Sequence, residues 1–355
     1  MNRRNAAFTL VELMIAMAIV MVVLYAAINF FIVSVRQYKV QTKITETNVE
    51  GILGLELFRQ DLESLGFGLP WNDLVAYTER PLIGNLSTLE DSPNAPRAVL
   101  SVNGAAFTHN NSDYLVIKSA RVGMSDAAGK RTTLTQGNNK RTWSPATENL
   151  GNNDYVIVLA LGSTDTDRRR LVGTTQFNNT AGFVPLEPYS ANIVYGIDDV
   201  QPVRPFNRAE YYIDNTAVPQ RCAPNTGVLV KAVVAHDASG TTPTPLPLVD
   251  CVADMQVLYG LDTDLNPATY PVPSDVITPL FPAGPAAAAD IRAQLAEVRV
   301  YILAQEGQRD DSYTTPTDNI YVGLPGVGRD FDVSGYRNYR WRLYSIVVKP
   351  KNLAQ

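Results

Sequence analysis

The sequence predicts an α+β protein in which one long N-terminal helix, apolar in its first half and amphipathic in its second, packs on a β-sheet-rich head. Three features predict it. Residues 8–35 read FTLVELMIAMAIVMVVLYAAINFFIVSV, with Glu12 as their one charge. No proline occurs before Pro70, so nothing breaks a helix that starts in this block. Beyond Pro70, short apolar runs alternate with turn residues. The 355-residue chain holds 23 Gly and 23 Pro, a texture of strands and turns rather than of a helical bundle.

As a helix, residues 8–35 would span about 42 Å, more than the roughly 30 Å hydrocarbon core of a bilayer. The block therefore reads as membrane-inserting. Before it stands MNRRNAA, short and basic. After it come Arg36, Gln37, Tyr38 and Lys39, with no small-residue cleavage pattern, so the helix is expected to stay with the mature chain. Charge does not orient the span, because Arg3 and Arg4 face Arg36, Lys39 and Lys43 across it. Residues 36–47 are polar. From there Ile52, Leu53, Leu57, Phe58, Leu62 and Leu65 recur at helical spacing, and this stripe is expected to pack on the head. The helix should run over residues 8–65, about 87 Å, and stop at Gly66-Phe67-Gly68-Leu69-Pro70.

Strands are expected at 114–117, 155–161, 211–213, 227–235, 298–303 and 342–348. Residues 290–296 read as a short helix feeding a strand. Residues 121–148, 163–180, 262–285 and 306–336 are rich in Gly, Asn, Asp, Ser, Thr and Pro and read as long loops. Cys222 and Cys251, beyond a membrane helix, suggest one disulfide in an oxidising compartment; the alternative is two separate buried thiols. A disulfide would put the head outside the cytoplasm.

Net charge is −5, from 30 Lys+Arg against 35 Asp+Glu, which argues against a dedicated nucleic-acid binder. Two Cys and two His leave little for a zinc site, and no metal or cofactor is expected. No G-x-S-x-G elbow and no Walker A loop occurs. Asp262-Thr263-Asp264 begins like a calcium loop, but Pro267 stands where the loop needs Gly. His109 and His236 read as loop histidines.

Glu12 is the informative residue, because a carboxylate in an apolar helix costs about 2.5–3.5 kcal/mol on insertion scales. It lies one helical turn after Phe8. Ala-Ala-Phe-Thr-Leu-Val-Glu before a long apolar helix resembles the class III signal of type IV prepilins and pseudopilins. The resemblance implies that a prepilin peptidase cuts between Ala7 and Phe8 and methylates the Phe8 amine. It implies that Glu12 guides assembly and register in a fibre of parallel helices. The family usually has Gly before the cut, and Ala7 departs from that. Residues 248–260, 297–303 and 339–349, and a helix ending near a Gly-Phe-Gly step, resemble the PilW-type minor pilins.

The resemblance implies a leader at 1–7, a transmembrane and assembly half of the helix at 8–35, an amphipathic half at 36–67 and an extracytoplasmic head at 68–355. The implied protein is a minor pilin of the inner membrane and then the pilus surface. It would help initiate or cap type IV pilus assembly without catalysing a reaction. Its implied partners are the prepilin peptidase, the major pilin and other minor pilins, the inner-membrane assembly platform and a tip adhesin. Two alternatives stand beside it: a type II secretion pseudopilin with the same leader, and a membrane-anchored extracytoplasmic enzyme or adhesin.

Overall fold

The computed structural model describes residues 9–72, 74–80, 89–104, 108–162, 164, 168–237, 244–265, 276–278 and 287–353. Helix α1 (Leu10–Glu63) runs unbroken for 54 residues, about 81 Å at 1.5 Å per residue. Its last turn tightens, with the Ser64 N–H shared between the Gln60 and Asp61 carbonyls, both at 3.1 Å. Gly66 and Gly68 then take φ of 73° and 70°, the left-handed region that ends helices and that a Cβ disfavours.

The head begins with β1 (Val99–Val102) and β2 (Tyr114–Ser119). The chain then leaves to build a second sheet from β3 (Arg131–Thr135), β4 (Asn139–Lys140), β5 (Tyr155–Leu161), β6 (Arg168–Gln176) and β7 (Ala191–Asp198). It returns as β8 (Asn207–Asp214) beside β2, and continues through β9 (Gly227–Val234), β10 (Thr244–Leu261) and β11 (Val276–Thr278). Helix α2 (Ala287–Gln294), β12 (Leu295–Glu306), a hairpin of β13 (Asn319–Val322) and β14 (Arg329–Asp332), and β15 (Arg340–Val348) follow. The main sheet has the order β1-β2-β8-β9-β10-β12-β15, with β11 on the end of β10, and the inserted sheet the order β4-β3-β7-β5-β6. Every strand pairing in both is antiparallel.

Each run expected as a loop holds strand: β3 and β4 in 121–148, β6 in 163–180, β11 in 262–285, and β13 and β14 in 306–336. The reason is visible in β6, RRRLVGTTQ, which is only half-buried along most of its length. Such a strand is held by pairing with a neighbour, not by its own apolar content.

One face of the main sheet receives α1. Leu55, Phe58, Leu62 and Leu65 join Tyr211, Met255, Val257, Val300 and Ile346 in one core cluster. The other face, under β2 and β8, buries ions. Lys118 Nζ lies 2.6 Å from both Glu79 and Asp91, and Arg208 lies 2.9 Å from Glu79. Charges this deeply buried persist only when paired, and here the pairs clip residues 74–80 and 89–97 onto the sheet. The inserted sheet has its own core of Leu134, Leu150, Val156, Val158 and Val194.

Asn207 and His236 join the two sheets. Asn207 Nδ2 donates to the carbonyls of Ala120 and Ile197 at 3.0 and 2.9 Å. Its Oδ1 is therefore an acceptor, and His236 Nε2, 2.8 Å away, must donate. His236 lies in the bend after β9, as expected from the sequence, but it is buried, 4% exposed. Burial, with Arg204 adding to it, pulls its pKa down to about 2, so it stays neutral.

Candidate assembly surface

Thr9 caps the start of α1. Its Oγ1 accepts from the Glu12 N–H at 3.3 Å, and Glu12 Oε2 accepts from the Thr9 N–H at 2.9 Å. This is a reciprocal capping box. Its signature, Thr-x-x-Glu, stands in the sequence at Thr9-Leu10-Val11-Glu12. Ala7 and Phe8 lie outside the described residues. Glu12 is exposed on the single chain.

Across the apolar half no side chain is buried. Leu10, Phe30 and Phe31 are each more than two-thirds exposed, and the first buried residue of α1 is Gly51. Among the described residues α1 is the one helix long and apolar enough to cross a membrane.

The second half is seated on the head by close backbone approach and by polar clasps. At Gly54 a Cβ would collide with the Leu248 carbonyl of β10, so only glycine lets the helix sit this low. Asp61 accepts from Tyr211 OH at 2.7 Å and from Lys231 at 2.8 Å. Burial, with the Asp61 charge adding to it, pushes the Tyr211 hydroxyl well above its ordinary pKa, so it remains a donor. Arg221 bridges Glu50 of α1 at 3.1 Å and Asp250 at 2.7 Å. Thr47 Oγ1 accepts from the Gly307 N–H at 2.9 Å.

The expected stripe divides. Phe58, Leu62 and Leu65 are fully buried, whereas Ile52 and Leu53 are 58% and 64% exposed and Leu57 is nearly half exposed. At 3.6 residues per turn, these three lie about 100° or more around the helix from Phe58. With Val49 they form a second apolar stripe facing away from the head.

Cys222 and Cys251 form a disulfide with a Cα–Cα distance of 5.0 Å. It ties the loop before β9 to β10 beside Arg221. Among the described residues no group of three or more His, Cys, Asp or Glu could hold a metal ion. The Asp262 N–H donates to the Gln294 carbonyl at 2.7 Å, closing β10 onto α2, and Asn266 lies outside the described residues. His109 sits in a short 3-10 turn away from any such group.

A capped, uncovered apolar helix seated by its second half on a β-rich head defines a type IV pilin-like protein, and comparison with known proteins agrees. Residues 2–28 match the model of the prokaryotic N-terminal methylation motif. Residues 210–352, from β8 through β15, match the model of the family described as type IV pilus-assembly protein W. The two matches give the chain a PilW domain and a prepilin-type N-terminus, and they support a type IV pilus minor pilin anchored in the inner membrane by its N-terminal helix with the head outside the cytoplasm. The inserted sheet lies outside both matches. No curated protein and no solved structure matches the chain.

Proposed function

We propose that this minor pilin primes or caps the type IV pilus, acting by assembly and not by catalysis. The reading rests most on the absence of any buried residue in α1 before Gly51. The apolar part of that helix, residues 10–35, is about 39 Å long and buries none of its side chains, so it needs lipid or other helices around it. Lipid serves before extraction and neighbouring helices serve in the fibre.

In this reading the prepilin peptidase cuts between Ala7 and Phe8 and methylates the new amine. Glu12 then pairs with the amino terminus of an adjacent subunit, which offsets its burial and fixes axial register. The partners are the major pilin, other minor pilins and the assembly platform, with a tip adhesin as a further one. Two sheets make the head bulky, which suits a tip or a low-copy insertion better than a uniform shaft.

The test is mass spectrometry of the N-terminal peptide in fibres sheared from cells. A peptide beginning with N-methylated Phe8 in that fraction is the expected result. Protein that keeps Met1 or Arg3 and stays in the membrane would overturn the reading. Processed Phe8 found in the membrane alone would favour a secretion pseudopilin.

A further inference from the structure

Most strand edges in this head are short or covered. β4 has two residues and β1 four, and β13 and β14 have four each. The outer side of β6 is met by the segment after α1: the Trp71 N–H donates to the Arg169 carbonyl at 3.0 Å, and the Leu171 N–H to the Asn72 carbonyl at 3.1 Å. β15 is different. Its nine residues pair with β12 in unbroken register, from Val298↔Val348 to Glu306↔Arg340, without a bulge. Among the described residues no strand pairs with its other side.

Long exposed edges are normally guarded by charge, proline, bulges or a covering element, because their free N–H and C=O groups template another strand. Residues 343–348, LYSIVV, carry no charge and no proline. Arg340 and Arg342, at the start of β15, are neutralised by Asp310 and Glu306, each at 2.8 Å. Leu343 and Val347, on the face away from α1, are 38% and 46% exposed.

The edge also lies beside the open stripe of α1. Tyr344 OH donates to Asn48 Oδ1 at 3.4 Å, and a Cβ on Gly51 would sit 3.8 Å from the same hydroxyl. A neighbouring helix packed along Val49, Ile52 and Leu53 would lie next to this edge. We propose that β15 is a strand-addition site that takes an uncharged edge strand from the head of a different pilin in the fibre, joining two heads into one sheet. This rests on the assembly reading above. Main-chain hydrogen bonds supply affinity, and the uncharged Leu343–Val348 run selects a partner strand of apolar and hydroxyl residues.

The experiment is amide hydrogen exchange on the full-length chain in detergent, alone and in complex with the pilins that co-purify from cells expressing the pilus genes. Exchange across 340–348 is expected to slow by about tenfold or more in the complex, together with slowing across 49–57. Slowing across 49–57 with 340–348 unchanged would overturn the strand-addition site and leave assembly through α1 standing. No slowing in either segment would overturn both. Protection of 340–348 in the chain alone, rising with concentration, would make the occupant a second copy and overturn the proposal as stated. A companion variant, Val347→Lys, places a charge on the exposed edge. It should melt like the wild type and recover about tenfold less of the partner pilins, and undiminished recovery would overturn the proposal.

Discussion

The two halves of α1 share one unbroken backbone and differ in what surrounds it. The first half offers apolar side chains on every side and buries none. The second divides its surface: one face carries Gly51, Gly54, Leu55, Phe58 and Leu62 into the head, and another keeps Val49, Ile52, Leu53 and Leu57 in the open. Helical hydrogen bonds are the same in both. Isolated helices are marginal in water, and most helix stability in proteins comes from packing an apolar face. The second half draws that packing from its own head. The first half must find it elsewhere, so the chain is complete only in a membrane or in an assembly.

Substitutions that strike the seated face but spare the open one test that division. Phe58 is fully buried, with its ring centroid 4.7 Å from that of Tyr211. Phe58→Ala is expected to destabilise the head by about 3–5 kcal/mol, and the neighbouring Leu57→Ala by about 0.5 kcal/mol or less. Denaturant titration of the detergent-solubilised full chain, followed through tyrosine and tryptophan signals of the head, measures both. Equal effects would mean that the helix does not sit on the head along this face.

Gly54→Ala probes the same seat through the backbone. The added methyl meets the Leu248 carbonyl, and a peptide group cannot swing aside as a side chain can. Overpacking of this kind is expected to lose about 3 kcal/mol, the upper end of its usual range. An adjacent helix glycine, Gly51, has its nearest non-local atom 3.8 Å from a Cβ. Gly51→Ala should therefore be neutral, or slightly stabilising through helix propensity. The pair of melting curves separates close approach from propensity.

The helix and its stop were readable because an apolar block without proline, closed by Gly-Phe-Gly, leaves the backbone little choice. The strands rich in β-branched residues were readable for the same kind of reason: β5 and β9 carry YVIVLAL and GVLVKAVV. β6 and β3, RRRLVGTTQ and RTTLT, were not, because their strand character comes from partners far along the chain. The seat of α1 was half readable. Helical spacing flagged Phe58, Leu62 and Leu65 but added Ile52, Leu53 and Leu57, since apolarity alone does not say which of two faces a head will cover. Asp61 with Lys231 and Tyr211, and Gly54 against β10, depend on the head's own fold and left no local mark.

Acid should also tell the halves apart. His236 joins the two sheets of the head and is held neutral, with its pKa pulled down to about 2 against about 6.5 in an unfolded chain. The unfolded state therefore takes up a proton below about pH 6.5 that the folded state refuses. Its contribution to stability is complete above that pH and falls by about 1.4 kcal/mol per unit below it. Asp113 and Asp198, each pushed up to about 6 mainly by burial, act oppositely, because folding favours their protonated forms as pH falls from 6 toward 4. The measurable quantity is thus a difference. His236→Gln keeps a donor for Asn207 and should lose about 2–3 kcal/mol less than the wild type between pH 6.5 and 4.5. Helicity of the apolar half in detergent should not change over the same range. Parallel curves for the two proteins would mean that His236 is solvated and the joint between the sheets is open.

The smallest expected effect on stability carries the most about assembly. Leu53 is 64% exposed on the face turned from the head, so Leu53→Ala should shift the melting free energy by no more than about 0.5 kcal/mol. If the open stripe is covered by a neighbouring helix, the same truncation removes buried area only in the fibre. Burial of a leucine side chain contributes on the order of 1.5–3 kcal/mol, most of which the alanine would forfeit at each contact. The amount of this protein in sheared fibres should then drop by about tenfold while its amount in the membrane is unchanged. Leu57→Ala should follow the same pattern more weakly, being less exposed. Normal recovery of both variants would mean that only the apolar half of α1 touches its neighbours, and that the second half packs on its own head alone.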